Sequence, residues 1–450
     1  MNGHKRIVYI CAIEPIYKEN PMKYATIDSN LFIKNRTRYC KEVCTNSLSL
    51  FNSNDIMPTN GDGVMDFRQN SDLFHLSGID QEESILLLFP EAKNPAHREI
   101  LFLKETNIKI AIWEGEKLTK DKAFAISGIQ NVFWLHEFEE VLDKLMTQVD
   151  SVYLNTNEHL RAKVEVETRD ARFGEWIRKT YSKQNFLKSA PVMHKIRAIK
   201  ETTEIQLIQK ACNLTESAFR KILKFIKHGV MEYEIEAEII HEFIKNRSRG
   251  FAYAPILASG ASACVLHYTD NNKQCKDGDL ILMDFGAEYA NYASDMTRCV
   301  PVNGKFSPRQ KEVYNAVLRV MKLATKMLVP GTFIKEYHIE VGKLMEKELI
   351  GLGLISQEEI DVQSANAPVY KKYFMHGTSH YLGLDVHDVG SWDVPMESGM
   401  VFTCEPGIYI PEENIGIRLE NDILVTDEGP IDLMANIPLE IDEIEALMAR

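Results

Sequence analysis

Asp284, Asp295, His380, Glu405 and Glu420 are the side chains of the C-terminal half best suited to holding metal. Four carboxylates and a single imidazole form an oxygen-rich donor set, which suits Mn²⁺, Fe²⁺, Co²⁺ or Zn²⁺ in a two-metal site better than a cysteine-rich structural zinc. If they share one pocket, about two divalent cations are needed to balance them. Asp284 ends the almost wholly apolar run Leu280 to Met283, where a carboxylate is costly unless paired or coordinated. The connection from Phe285 to Ser294 then returns the chain to Asp295, ahead of the strand pattern Met296 to Val302. Pairing these strands as a hairpin points both carboxylates at one spot. Either aspartate alone reads as a turn or cap residue; the further acids and imidazoles in the same half shift that reading.

Phe374 to His380 (FMHGTSH) supplies His376 and His380, and Leu384 to Asp388 (LDVHD) supplies His387. On a helix, His376 and His380 would share a face as in a zinc-protease HExxH motif. The glutamate is missing, however, and Gly377 and Gly383 disfavour a helix, so an extended or looped segment is predicted. Val401 to Gly407 (VFTCEPG) reads as a strand stopped at Glu405 by proline and glycine. In Gly416 to Glu420 (GIRLE), Arg418 and Glu420 share the face opposite Ile417 and Leu419. That charged face is either solvent-exposed or turned into a covered site, and the segment alone leaves both open.

These residues need a scaffold of short strands. Leu280–Asp284, Met296–Val302, Met400–Glu405, Ile415–Glu420 and Ile423–Thr426 read as strands, with helical patterns at Pro308–Leu328 and Ile334–Leu349 between the second and third. The expected fold is α+β, with helices on one face of a curved antiparallel sheet. Upstream, Ser84–Phe89, Glu99–Leu103 and Ser151–Leu154 read as buried strands and Phe138–Met146 as a helix, which predicts an α/β domain. No glycine-rich phosphate loop follows those strands. Near Lys188 to Met193 the strand pattern gives way to a long helix through Ile205, Ile208, Cys212, Phe219, Ile222 and Ile226, ended by Gly229, and a second helix is predicted over Glu234–Lys245. Two domains are expected, 1–185 and 190–450.

At 450 residues and 45% hydrophobic the chain can bury a full core, and its net charge of -13 disfavours nucleic acid and anionic membrane as partners. Lys5 and Arg6 before the apolar run Ile7 to Ile13 imitate a secretory signal, but Glu14 ends the run and no small-residue cleavage site follows. No stretch approaches a membrane span. The eight cysteines show no close CxxC pair and read as reduced, semi-buried hydrophobes. A cytoplasmic protein is expected.

In order along the chain, MDFGAEYANYASDMTR, MHGTSHYLGLDVHDVG, EPGIY and GIRLEND resemble blocks of the pita-bread metallopeptidases, a family of methionine aminopeptidases, prolidases and aminopeptidases P. Phe67 to Ile79 (FRQNSDLFHLSGI) resembles the creatinase-like N-terminal domain of aminopeptidase P and prolidase, and the Ser379-His380 pair looks like aminopeptidase P. The resemblance implies a Xaa-Pro aminopeptidase, cleaving between an N-terminal residue and a following proline with hydroxide held by two divalent ions, Mn²⁺ first and Zn²⁺, Co²⁺ or Fe²⁺ as alternatives. It implies Asp284, Asp295, His380, Glu405 and Glu420 as ligands. Glu405 would double as proton shuttle, and His376 and His387 would stabilise the oxyanion. His267 would complete the pocket, and Arg418 would support Asp284. Peptides with proline second are the implied partners, and a homo-oligomer, dimer or tetramer, is implied too. In three respects the chain departs from the pattern: the Glu405–Arg418 segment is short, Asn421 stands where aspartate is common, and residues 1 to about 25 fall outside it. A dipeptide-restricted prolidase shares every ligand and differs in how the N-terminal domain closes the pocket. Metal-free, creatinase-like hydrolysis would lack the ligands, and a non-catalytic peptide-binding module would have lost them.

Overall fold

The computed structural model describes residues 24–364 and 366–449, so the signal-like run Ile7 to Ile13 and Cys11 lie outside the described residues. The N-terminal half is a six-stranded mixed sheet in the order β4-β3-β2-β1-β5-β6. Its strands are β1 (Ser47–Asn52), β2 (Ile85–Leu88), β3 (Glu99–Leu103), β4 (Asn131–Trp134), β5 (Ser151–Leu154) and β6 (Asn185–Lys188). β1, β2 and β3 pair antiparallel, while β4, β5 and β6 add in parallel. The central strands are buried on both faces, which is why they read as continuous apolar runs. The helix Phe138–Met146 forms over the predicted residues and buries Phe138, Leu142, Leu145 and Met146 at spacings of three and four.

The chain crosses to the second half through the helix Ala190–Ala198, whose Met193 and Ile196 pack into the N-terminal core. The long helix Thr202–Phe225 follows and buries Ile208, Cys212, Phe219 and Ile222 along one stripe. It ends at Phe225 rather than at Gly229, because Ile226 is already extended; Gly229, at φ 92, serves the turn beyond. A second helix spans Glu232–Lys245 and packs against the first.

Beyond it lie β7 (Gly250–Phe251), β8 (Ile256–Ser259), β9 (Leu280–Asp284), β10 (Ala287–Tyr289), β11 (Tyr292–Ala293) and β12 (Thr297–Pro301). The helices Pro308–Thr325 and Ile334–Gly351 intervene before β13 (Val401–Cys404), β14 (Gly407–Ile410), β15 (Ile415–Arg418), β16 (Asn421–Leu424) and β17 (Ile431–Asp432). Every strand pairing here is antiparallel, but the strands form small ladders, β11-β10-β7, β12-β9-β8, β13-β16-β17 and β14-β15, instead of one continuous sheet. One break lies between β15 and β16, just before and after Glu420. β15 stops at Arg418; Leu419 N–H then donates to the Pro406 carbonyl at 3.2 Å and Glu420 N–H to the Thr297 carbonyl at 3.1 Å. Glu420 is thereby handed from one ladder to the next.

The halves are tied by a buried ion cluster. Arg197 meets Asp72 at 2.8 Å, Asp385 at 2.7 Å and Asp388 at 2.5 Å, and Lys200 meets Asp388 at 2.9 Å. Burial opposes ionisation of Asp388, but Arg197 and Lys200 outweigh it and hold the carboxyl at about 2. Because Asp385 and Asp388 bracket His387, the cluster also fixes the loop that carries this histidine.

Candidate metal centre

β9 and β12 pair with Asp284 opposite Thr297, so the expected hairpin forms. The turn at its far end uses Ala290 and Asn291 at φ 54 and 68, a left-handed pair suited to a tight hairpin. Gly286 passes so close to the Ser294 carbonyl that a Cβ would overlap it, and this approach lets Asp284 and Asp295 converge. The Tyr253 hydroxyl touches both, at 2.6 Å from Asp284 Oδ1 and 2.5 Å from Asp295 Oδ1. A hydroxyl has one proton, so it can satisfy only one of them; the other needs a proton or a cation.

Asp284, Asp295, His380, Glu405, Glu420, His267, His376, His387 and Arg418, all singled out from the sequence, line a single cavity of about 420 Å³. The Arg418 and Glu420 face is turned inward: these residues are 4% and 2% exposed. Ligand atoms of Asp295, His380 and Glu420 lie within 4.8 Å of one another. His380 Nε2 is 3.5 Å from Asp295 Oδ2 and 3.6 Å from Glu405 Oε1. His380 Nδ1 sits 3.0 Å from the Tyr381 carbonyl, which assigns the proton to Nδ1 and leaves Nε2 free as a donor to metal. Phe374 to His380 is irregular backbone with bends at His376 and Thr378, as Gly377 suggested.

Electrostatics give the same picture. Burial, then the neighbouring carboxylates Asp295, Glu405 and Asp284, push Glu420 well above the usual carboxylate range. Burial and Asp284 do the same to Asp295, while burial raises Glu405 to about 7. Arg418 is the one guanidinium spent on these groups: it pairs with Asp284, donates from Nη1 to Tyr409 Oη at 2.9 Å and from Nε to Thr297 Oγ1 at 3.0 Å. Thr297 in turn donates to Glu420 at 2.6 Å. Four carboxylates against one cation leave an excess that protons or divalent ions must neutralise, and the oxygen-rich donors fit hard or borderline divalent cations.

Burial lowers His376 and His387 to about 3, so both imidazoles are neutral. His376 Nε2 lies 2.8 Å from Tyr409 Oη and Nδ1 is 2.8 Å from the Gly377 carbonyl. With Nδ1 protonated, Tyr409 donates to Nε2 and links His376 through Arg418 to Asp284. His267 lines the cavity without a hydrogen bond among those described.

Sequence reasoning missed Tyr253, Tyr409, Thr297 and Arg161, which also lines the cavity. Tyr409 sits inside the EPGIY block; Tyr253 and Arg161 carry no spacing signal at all. Asn421 proves to face away from the metal-binding groups: it accepts from Arg298 at 2.6 Å and donates to Asp432 at 2.7 Å. The buried Arg298 meets Asp432's charge across that amide, and it also donates to the Glu420 carbonyl at 2.7 Å.

Carboxylates and imidazoles gathered at strand ends and on an irregular loop around one cavity form the kind of site a hydrolytic metalloenzyme uses. Residues 206–427 match the family described as "Metallopeptidase family M24", and residues 32–153 match "Aminopeptidase P, N-terminal domain". A Xaa-Pro aminopeptidase of Haemophilus influenzae is 35% identical, covering 94% of this chain and 98% of its own. Among solved structures, a Pseudomonas aeruginosa aminopeptidase superposes with a TM-score of 0.86 at 31% identity, over 94% of this chain and 98% of that one. Aminopeptidase P from Escherichia coli with the inhibitor Pro-Leu superposes with a TM-score of 0.84 at 33% identity, over 94% and 99%. The chain belongs to metallopeptidase family M24, and its class is that of a metal-dependent exopeptidase.

Proposed function

We propose that the chain is a Xaa-Pro aminopeptidase, releasing the N-terminal residue that precedes proline. The observation that carries this reading is the buried Asp295, His380 and Glu420 group, completed by Asp284 and Glu405, in a chain 35% identical to a Xaa-Pro aminopeptidase over nearly its whole length. We assign Asp284, Asp295, His380, Glu405 and Glu420 as holders of two divalent ions, Mn²⁺ foremost. When bound, such ions supply Lewis acidity and bring the pKa of water toward neutrality.

The protein's own groups do the rest. Glu405, which lines the cavity beside His380, can take a proton at Oε2 and return it to the leaving proline nitrogen. His387, whose Nε2 accepts from Arg161, carries its proton at Nδ1 and can donate it to the attacked carbonyl oxygen; His376, oriented by Tyr409, joins it in stabilising that oxygen once its Nδ1–H turns from the Gly377 carbonyl to the substrate. His267 completes the lining of the same cavity. Arg418 holds Asp284 in place. Proline's nitrogen has no hydrogen and its ring fixes φ, so the pocket must grip a ring instead of an N–H donor.

We divide the chain into domains 1–185 and 190–450 and expect a homo-oligomer mediated by the first. Free cysteines at all seven described positions support the cytoplasm, and among the described residues no helix is long and apolar enough to cross a membrane. The test is hydrolysis of a Xaa-Pro dipeptide beside a Xaa-Pro-Yaa-Zaa tetrapeptide with Mn²⁺, with and without chelator. Cleavage of both, abolished by chelator, supports the reading; cleavage of the dipeptide alone makes the enzyme a prolidase.

A further inference from the structure

Arg161 is carried by segment 155–168 of the N-terminal half, between β5 and the helix Arg169–Thr180. The segment is pinned at its start, where Asn155 Nδ2 donates to Asp72 at 3.1 Å. It then turns on itself: His159 N–H donates to Asn157 Oδ1 at 3.1 Å, and His159 receives Arg161 N–H at Nδ1 (3.2 Å) and Ala162 N–H at its carbonyl (2.9 Å). That turn projects the Arg161 side chain across the domain boundary onto His387, with Nη1 3.2 Å from Nε2. The His387 ring lies 4.4 Å from that of His380, centroid to centroid.

Three cavities meet at this point. The metal cavity, a larger polar cleft of about 490 Å³ between the halves, and a small one of about 180 Å³ are all lined by both Arg161 and His387. Of the two guanidiniums facing the metal cavity, Arg418 is fully engaged by Asp284, Tyr409 and Thr297. Arg161 has no carboxylate partner among the described residues, and His387 is the single side chain it hydrogen-bonds there. A guanidinium offers five N–H donors in a fork matched to a carboxylate, so most of this one's capacity is unused.

We infer that Arg161 is the substrate-binding residue on the leaving side of the scissile bond: it receives the main-chain oxygen of the proline residue, a carboxylate in a dipeptide and a carbonyl in a longer peptide. This rests on the Xaa-Pro aminopeptidase reading. The carbonyl under attack belongs at the acids and His380, and the next main-chain oxygen lies one residue along, within about 3.6 Å of chain length; an aminopeptidase substrate is open-ended only on that leaving side, and the open cleft lined by Arg161 and His387 marks it. Because an arginine only donates, its bond to His387 requires Nε2 to be the acceptor. That places the His387 proton at Nδ1, so Arg161 also fixes which nitrogen of His387 can donate. Longer peptides continue from this junction into the polar cleft.

The test compares wild type, Arg161→Ala and Arg161→Lys on Ala-Pro, Ala-Pro-amide and Ala-Pro-Ala-Ala, with Mn²⁺. Arg161→Ala is expected to raise KM for Ala-Pro about tenfold or more and to leave kcat within about twofold, as loss of uniform binding does. KM for the amide and the tetrapeptide should change less than about threefold, since each offers a neutral oxygen. The lysine variant, which keeps the charge, should fall between; a lysine variant as poor as alanine overturns the charge argument. Equal changes on Ala-Pro and its amide, or a fall in kcat alone, overturn the assignment of Arg161 while leaving the peptidase reading intact. A wild-type protein inert on all three overturns both.

Discussion

Replacing Asp388 by asparagine preserves shape and removes one charge from the cluster that binds the two halves. Asp388, Arg197 and Lys200 are each 5% exposed or less, and Asp385, the cluster's other nearby acid, has a side chain 48% exposed. The variant therefore leaves two buried cations opposite Asp72 and a half-solvated Asp385. Lowering of the Asp388 carboxyl from the usual 3.8 to about 2, despite opposing burial, corresponds to about 2 kcal/mol at about 1.4 kcal/mol per tenfold change in proton affinity. Breaking a buried pair outright costs roughly 3–5 kcal/mol. Together these predict that Asp388→Asn destabilises by about 3 kcal/mol at pH 7, read from the denaturant midpoint at unchanged slope. A depressed folded-state pKa contributes stability above the unfolded value, so the gap between wild type and variant should hold above about pH 4 and close as pH falls through about 2. The same loop carries His387, so kcat/KM should drop roughly tenfold while bound metal is unchanged. A loss under about 0.5 kcal/mol at pH 7, or a gap that persists at pH 2, would refute the assignment of the cluster as the structural clamp.

Three further outcomes follow from the geometry. Glu420→Gln should abolish chelator-sensitive hydrolysis and lower the divalent metal content measured after dialysis, because it removes a carboxylate from the Asp295 and His380 group; retained stoichiometry would contradict the ligand assignment. Tyr409→Phe severs the link from Arg418 to His376 and should lower kcat about tenfold with KM little changed, as loss of an orienting partner does. Burial holds the Asp170 carboxyl up at about 7, so the folded protein keeps a proton that the unfolded chain loses near 3.8, and its contribution to stability falls as pH rises between those values. Asp170→Asn places an amide N–H2 against the donors Asn52, Asn70 and Asn155, so it should lower the thermal midpoint at pH 4 and lose less by comparison at pH 8, checked by parallel melts.

Local signals carried the parts of the fold that local forces decide. Phe138–Met146 was legible because its apolar residues recur at helical spacing, and Asp284 because an acid at the end of an apolar strand needs a partner. The histidine loop was legible from its glycines. The handover of Glu420 from β15 to β12 was not, because it depends on hydrogen bonds to Pro406 and Thr297, distant in sequence. For the same reason the expected single sheet proved to be several ladders. Tyr253 and Arg161 reach the cavity only through the way separate elements are brought together. Asn421, standing where aspartate is common, could be placed only by the structure, which sets Arg298 and Asp432 on either side of its amide.

The central claim is that two divalent ions held by these carboxylates and His380 enable hydrolysis before proline. Adding Mn²⁺ back to chelator-stripped protein while following cleavage of Ala-Pro-Ala-Ala tests it most directly. Release of free alanine that rises with added metal and levels off at two ions per chain is the predicted result. Full cleavage in excess chelator, or two tightly bound ions with no cleavage of any Xaa-Pro peptide, would contradict it.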